Sequence, residues 1–276
     1  TTDGKGVYVV FGTGDIAGID YEGERLWAKN LGSPANHYGH GSSLALHRNT
    51  LLVQFDQNTG GHLIGLNTET GEQKYDRARD IEISWASPIL INSESRSEVV
   101  LSANPFVISY DPATGNELWR FKCMYGEIGP SLAFSNGVVF ACNDYASLVA
   151  IKHGEIPELL WETDEDLSEI SSPVANKDIV IMAASFGTVS CFDSNTGERH
   201  WYYDADDGFY SSPIIANGLI YLMDVDGLMH VIKADKTLEI IGKNPLGEKS
   251  STTPAFYEDK LFVRGENHLF CIGKQD

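Results

Sequence analysis

Cations are scarce in this chain. Twenty lysines and arginines stand against 39 aspartates and glutamates, a formal net charge of −19. A surface of that sign excludes the basic stripes that nucleic acid and anionic membranes attract. It suits solubility, or an acidic face for a basic partner or a cation. Long apolar runs are missing as well. Although 42% of the 276 residues are hydrophobic, no uninterrupted run approaches the ~20 residues of a membrane span. Cysteine is limited to Cys123, Cys142, Cys191 and Cys271, without a Cys-x-x-Cys pair, which argues against zinc and thioredoxin-like sites. Cys191 and Cys271 fall at one place in repeats two apart, out of reach of each other. Cys123 and Cys142 flank one connection, where a disulfide is open. No signal-peptide pattern opens the chain. Thr1–Gly6 reads as a turn inside a repeat, so the expectation is an N-terminal truncation.

What is present is a recurring phrase. It reads Asn67-Thr68-Glu69-Thr70-Gly71 before Tyr75, Asp111-Pro112-Ala113-Thr114-Gly115 before Trp119, and Asp193-Ser194-Asn195-Thr196-Gly197 before Trp201. Worn copies end at Trp27 and Trp161. From Trp27 through Tyr75, Trp119 and Trp161 to Trp201 the steps are roughly 40 to 48 residues, the period of propeller blades.

Each unit lays out as four short strands. Around Trp201 they are Ser171–Ala175, the apolar run Ile179–Ala184, Thr188–Asp193, and an outer strand beginning at His200. Gly197 supplies the positive φ of a tight hairpin. Ser87-Pro88, Ser172-Pro173, Ser212-Pro213 and Thr253-Pro254 mark inner strands, with Pro where a missing N–H costs least. Short strands at even spacing indicate antiparallel all-β structure, and four-stranded sheets at this period are propeller blades. An aromatic at one fixed position in every repeat is structural, so Trp27, Tyr75, Trp119, Trp161 and Trp201 are read as blade-docking residues.

The pattern Asp-x-x-Thr-Gly-x-x-x-Trp, standing at Asp111–Trp119 and Asp193–Trp201, resembles the PQQ-like β-propeller repeat. That family includes the quinoprotein dehydrogenases and the outer-membrane assembly lipoprotein of the β-barrel insertion machine. Phe11–Gly14, Gly39–Ser43 and His268–Gly273 look closest to a bacterial group of exported PQQ-like repeat proteins. The reading is a single domain over 1–276: a partial blade at 1–32, blades at about 37–80, 82–124, 126–166, 168–207 and 208–249, and a partial blade at 250–276. About 26 strands are legible and a ring of eight four-stranded blades needs about 32. Eight blades in the complete protein is therefore the expectation, with seven as the alternative.

Ligands in such folds bind on the face built from outer-to-inner and second-to-third-strand loops. The candidates there are His37, Tyr38, His40, Asp56, Trp85, Asp144, Phe209 and Tyr210, a mixture suited to a binding funnel. His37 and His40 offer a metal pair with Asp56 or Asp15, but His-x-x-His without a helix is weak, and no metal is expected. The quinoprotein dehydrogenases hold PQQ against adjacent cysteines, beside a calcium ion bound by Glu, Asn and Asp. No cysteines adjoin here and no Gly-x-Ser-x-Gly elbow occurs, so neither catalytic residues nor a PQQ cofactor is expected and the enzyme reading is the weaker one. The leading reading is a non-catalytic exported scaffold that binds another protein in the cell envelope. The resemblance implies a periplasmic or extracellular location, with a lipid anchor on an upstream segment. The alternatives are a ligand-, metal- or quinone-binding protein or enzyme using the funnel loops, and carbohydrate binding through Trp85, Phe209 and Tyr210.

Overall fold

The computed structural model describes residues 1–93 and 96–273, and among them every regular element is a β-strand. The strands form antiparallel sheets in chain order. The first is β1 (Gly6–Val10), β2 (Asp15–Asp20) and β3 (Arg25–Asn30). The second is β4 (Ala45–His47), β5 (Thr50–Gln57), β6 (Gly60–Asn67) and β7 (Gln73–Arg79). The third is β8 (Ile89–Asn92), β9 (Ser97–Ala103), β10 (Phe106–Tyr110) and β11 (Glu117–Lys122). The fourth is β12 (Ala133–Ser135), β13 (Val138–Cys142), β14 (Leu148–Lys152) and β15 (Glu158–Thr163). The fifth is β16 (Val174–Ala175), β17 (Ile179–Ala183), β18 (Thr188–Asp193) and β19 (Arg199–Asp204). The sixth is β20 (Ile214–Ala216), β21 (Leu219–Met223), β22 (Leu228–Lys233) and β23 (Ile240–Pro245), and the last is β24 (Ala255–Tyr257), β25 (Lys260–Arg264) and β26 (Leu269–Ile272).

The blade count corrects the expectation of eight: the described strands pair into seven sheets. A repeat period sets the number of strands in one blade. The number of blades depends on the splay between packed sheets, which the period does not contain. Thr1 and Thr2 also pair already with β1, through a Thr2–Val7 bridge and a 2.8 Å bond from the Tyr8 amide to the Thr1 carbonyl.

Two compact units divide the chain, residues 1–132 with 154–157, and residues 133–153 with 158–276. In the first unit, β5 shows why an unbroken apolar run can be a strand. Successive side chains point to opposite faces. Leu51, Val53 and Phe55 pack with Tyr8, Ile16 and Trp27 of the first sheet, while Leu52 packs with Val99, Leu101 and Ile108 of the third. The second unit repeats the scheme. Val180, Met182 and Phe192 face the fourth sheet, and Ile179, Ile181 and Cys191 face Ile220, Leu222 and Ile232 of the sixth. Both faces of a blade are core, so alternation of apolar and polar residues is suppressed.

The Thr-Gly phrase is a docking device. The Asp193 carboxylate accepts from the amides of Asn195 (2.9 Å) and Thr196 (3.1 Å), and the Thr196 hydroxyl accepts from the Glu198 amide (3.3 Å). Asn67 and Asp111 close their hairpins in the same way. Gly197 then takes φ +73°, a left-handed value that only glycine adopts without strain. A β-bulge precedes each outer-strand aromatic, Trp201 for example pairing with Cys191 while Arg199 pairs with Phe192. Trp27 donates to the Thr68 carbonyl at 2.7 Å and Tyr75 to the Pro112 carbonyl at 2.8 Å. Trp161 donates to Ser194 at 3.1 Å and Trp201 to Asp235 at 2.9 Å. The first three rings also cover the hairpin glycine. A Cβ on Gly71, Gly115 or Gly197 would stand 2.6–2.7 Å from Trp27, Tyr75 or Trp161. Trp119 is buried too, but it donates within its own sheet, to the buried carboxylate of Glu98 at 2.8 Å.

A second inter-sheet link uses a hydroxyl residue just before the inner strand, followed by proline at Ser87, Ser172, Ser212 and Thr253. The amide of Ser43 donates to the Ser87 hydroxyl and that of Ser87 to the Ser131 hydroxyl, at 2.9 and 2.8 Å. In the other unit Ser172 donates to Ser212 and Ser212 to Thr253, both at 2.9 Å. The recurring Ser-Pro pairs carried this signal in the sequence, where only the proline was read.

Candidate functional site

In the first unit three outer-to-inner loops converge: residues 31–44, 80–88 and 123–132. A parallel bridge between Ser84 and Ile128, and a 2.8 Å bond from the Trp85 amide to the Ile128 carbonyl, hold the last two together. The first loop is seated by Asn36, whose side-chain oxygen accepts from the Tyr38 amide at 3.0 Å and from the Trp85 indole at 3.1 Å. Gly41 lies under the same indole, where a Cβ would approach it to 3.1 Å.

The result is an exposed aromatic cluster. The His37 ring lies 4.2 Å from Tyr38 and 5.3 Å from Trp85, and Tyr38 lies 5.4 Å from Trp85. Tyr38 is 76% exposed, and Tyr125 on the third loop is 67% exposed. Glu127 stands beside them with its carboxylate 3.4 Å from His37 Nε2. Large rings left in solvent beside a carboxylate, on loops braced by buried bonds, are the makings of a recognition surface.

The other candidates of this unit turn inward. His40 stacks on Phe55 at 5.7 Å with its Nε2 buried, and burial lowers its pKa from the ordinary 6.5. Asp56 is buried against Arg79 and accepts from its guanidinium at 2.6 Å and from Gln54 at 2.7 Å. Arg79 also donates to the Tyr110 hydroxyl at 3.1 Å. Burial alone would lower the Arg79 pKa, but Asp56 and Tyr110 together outweigh it and raise it. The ion pair lies within the second sheet and offers nothing to solvent, while the Arg79–Tyr110 bond ties it to the third. Asp15 is taken by Thr13 and Asn30, so the metal pairing of His37 and His40 with an aspartate is not assembled.

In the second unit Asp144 lies on the β13–β14 loop, half-buried. Burial first, and then the neighbouring Glu169 charge, raise its pKa above the usual carboxylate value. Phe209 is fully buried, edge-on to the His230 ring at 5.5 Å, so it is core and not a surface aromatic. Tyr210 is half-exposed and lines a cavity of about 460 Å³ with Val225, Lys249, Ser250, Arg264 and Glu266.

The family resemblance raises the question of PQQ, and the donor set here does not match. Cys142, Cys191 and Cys271 are free thiols. Burial pushes the Cys142 and Cys191 thiols up to about 12. Among the described residues no three His, Cys, Asp or Glu side chains gather to hold a metal.

Asn36, Glu127 and Tyr125 are the residues that sequence reading undervalued. Asn36 reaches the Trp85 indole and Glu127 reaches His37, contacts between loops that depend on how the sheets pack. The clearest cue in sequence was Tyr125, an aromatic outside any strand pattern and followed by Gly126.

Residues 157–267 match the family model described as outer membrane protein assembly factor BamB. The chain is 22% identical to outer membrane protein assembly factor BamB of Yersinia pestis over 298 positions, covering 99% of this chain and 73% of that protein. It is 26% identical to the BamB of Escherichia coli strain K12, over 55% of this chain and 40% of the relative. Among solved structures, BamB from Moraxella catarrhalis superposes with a TM-score of 0.77 at 17% identity, covering 96% of this chain and 80% of that one.

Proposed function

We propose that this PQQ-like β-propeller repeat protein is a non-catalytic scaffold of the bacterial cell envelope that holds other proteins through its loops. Similarity over 99% of the chain to an outer membrane protein assembly factor supports the role. The observation that carries it at residue level is the cluster of exposed His37 and Tyr38 with half-buried Trp85, on two of the braced loops. Buried anchors hold the loops while the rings stay in water, an arrangement suited to a partner surface. We further propose that the chain works on the periplasmic side, held by a lipid joined to its N-terminal end, and that it uses neither PQQ nor calcium.

A photo-crosslinking residue placed at Tyr38 in living cells tests the scaffold role, with Tyr257 of the second unit as control, since it too is well exposed. The expected result is an adduct with a defined envelope protein at Tyr38 and none at Tyr257. No adduct at Tyr38, together with substrate turnover abolished by His40→Ala, would overturn it. Alkyne–palmitate labelling tests the anchor, and a PQQ–calcium titration followed by absorbance tests the cofactor statement.

A further inference from the structure

We propose that the corner formed by Tyr38, Trp85 and Glu127 receives an arginine side chain presented by a basic partner protein. The inference rests on the scaffold reading and names the chemistry its partner must offer.

The chain itself shows how it binds arginine. Arg120 lies 4.8 Å over the Phe106 ring and is gripped by Glu117 at 2.6 and 2.5 Å. Arg199 lies 5.2 Å over Tyr202 and reaches Glu165 at 2.7 Å and Asp166 at 2.9 Å. Arg79 lies 5.8 Å over Tyr110 and is paired with Asp56. Each guanidinium has a ring beneath it and a carboxylate at its edge. Tyr38 and Glu127 are a fourth set of this kind, linked through His37, which contacts both. Among the described residues no lysine or arginine lies within ion-pair distance of Glu127. The ring is 76% exposed, so the arginine position is open.

Charge and geometry select the occupant. A chain of net charge −19 favours a cationic partner. A planar guanidinium stacks on a phenol ring and forks onto a carboxylate, which a strongly hydrated ammonium does less well. The rings are inclined to one another by 54–78°, so they do not offer the flat shared platform a sugar ring would stack on.

The probe is the blocked peptide acetyl-Gly-Arg-Gly-Arg-Gly-amide, compared with its lysine and citrulline counterparts. The readout is the Trp85 indole N–H signal in a nitrogen–proton NMR spectrum. The arginine peptide is expected to shift that signal saturably, with the lysine peptide about fivefold weaker and the citrulline peptide weaker still. Glu127→Gln and Tyr38→Ala should each weaken arginine binding about fivefold while the other four indole signals stay in place, and added salt should narrow the Glu127→Gln difference. A Trp85 signal unmoved by the arginine peptide, or moved equally by all three, overturns the proposal. Crosslinks at Tyr38 alongside a silent arginine titration would remove the arginine receptor and leave the scaffold role standing.

Discussion

Gly197→Ala is expected to destabilise this protein, and its cost separates into two parts. Gly197 holds φ +73°, which costs an L-residue about 1 kcal/mol. The added Cβ would also stand 2.7 Å from the Trp161 ring. That ring is 8% exposed and tied to Ser194 at 3.1 Å, so it has little room to move. Overpacking of this kind costs about 1–3 kcal/mol, for a total of about 2–4 kcal/mol. Gly218 is the internal control, with φ +75° and nothing within 4 Å of an added Cβ. Gly218→Ala should cost only the backbone share, about 1 kcal/mol. In a Trp161→Ala background the Gly197→Ala cost should fall to that same value, a coupling of about 1–3 kcal/mol. Urea unfolding followed by circular dichroism measures all of these. Equal costs at Gly197 and Gly218 in the native background would refute the idea that the Thr-Gly phrase exists to receive the neighbouring blade's aromatic.

Three further outcomes follow from the same contacts. Lys236, which bonds the Asp193 carboxylate at 2.5 Å, together with the Asn195 and Thr196 amides, holds Asp193 well below the ordinary carboxylate value of 3.8. A depressed carboxylate contributes stability that is complete above that ordinary value and lost as pH falls toward the folded one. Thermal melts of Asp193→Asn should therefore lose stability at neutral pH and show a flatter acid limb than the native chain; an unchanged limb would contradict this. Breaking the buried Asp56–Arg79 pair with Asp56→Ala should cost about 3–5 kcal/mol in urea unfolding, because a guanidinium is left uncompensated in the core. Thiol labelling at mildly alkaline pH should modify exposed Cys271 fastest and half-buried Cys123 more slowly. Cys142 and Cys191, whose thiols are held near 12, should react only after denaturant is added.

The sequence by itself determined the blade. A period of roughly 40 to 48 residues between rim aromatics, with Thr-Gly hairpins and Ser-Pro inner strands, specifies a four-stranded antiparallel sheet, because strand alternation and turn chemistry are local. Packing decided the rest. Seven sheets stand where eight were expected, since the splay between sheets is not a local property. Phe209 and Asp56 stand at positions that look like a funnel surface in sequence, yet Phe209 is core and Asp56 lies inside β5, neutralised by Arg79. His37 and His40 are three residues apart and face different surroundings, solvent for one and Phe55 for the other. Trp85 meets Tyr38, and Glu127 meets His37, from loops more than 40 residues apart in sequence. Loops joining different sheets are brought together only by the contacts between those sheets, and the candidate recognition surface is made of such loops.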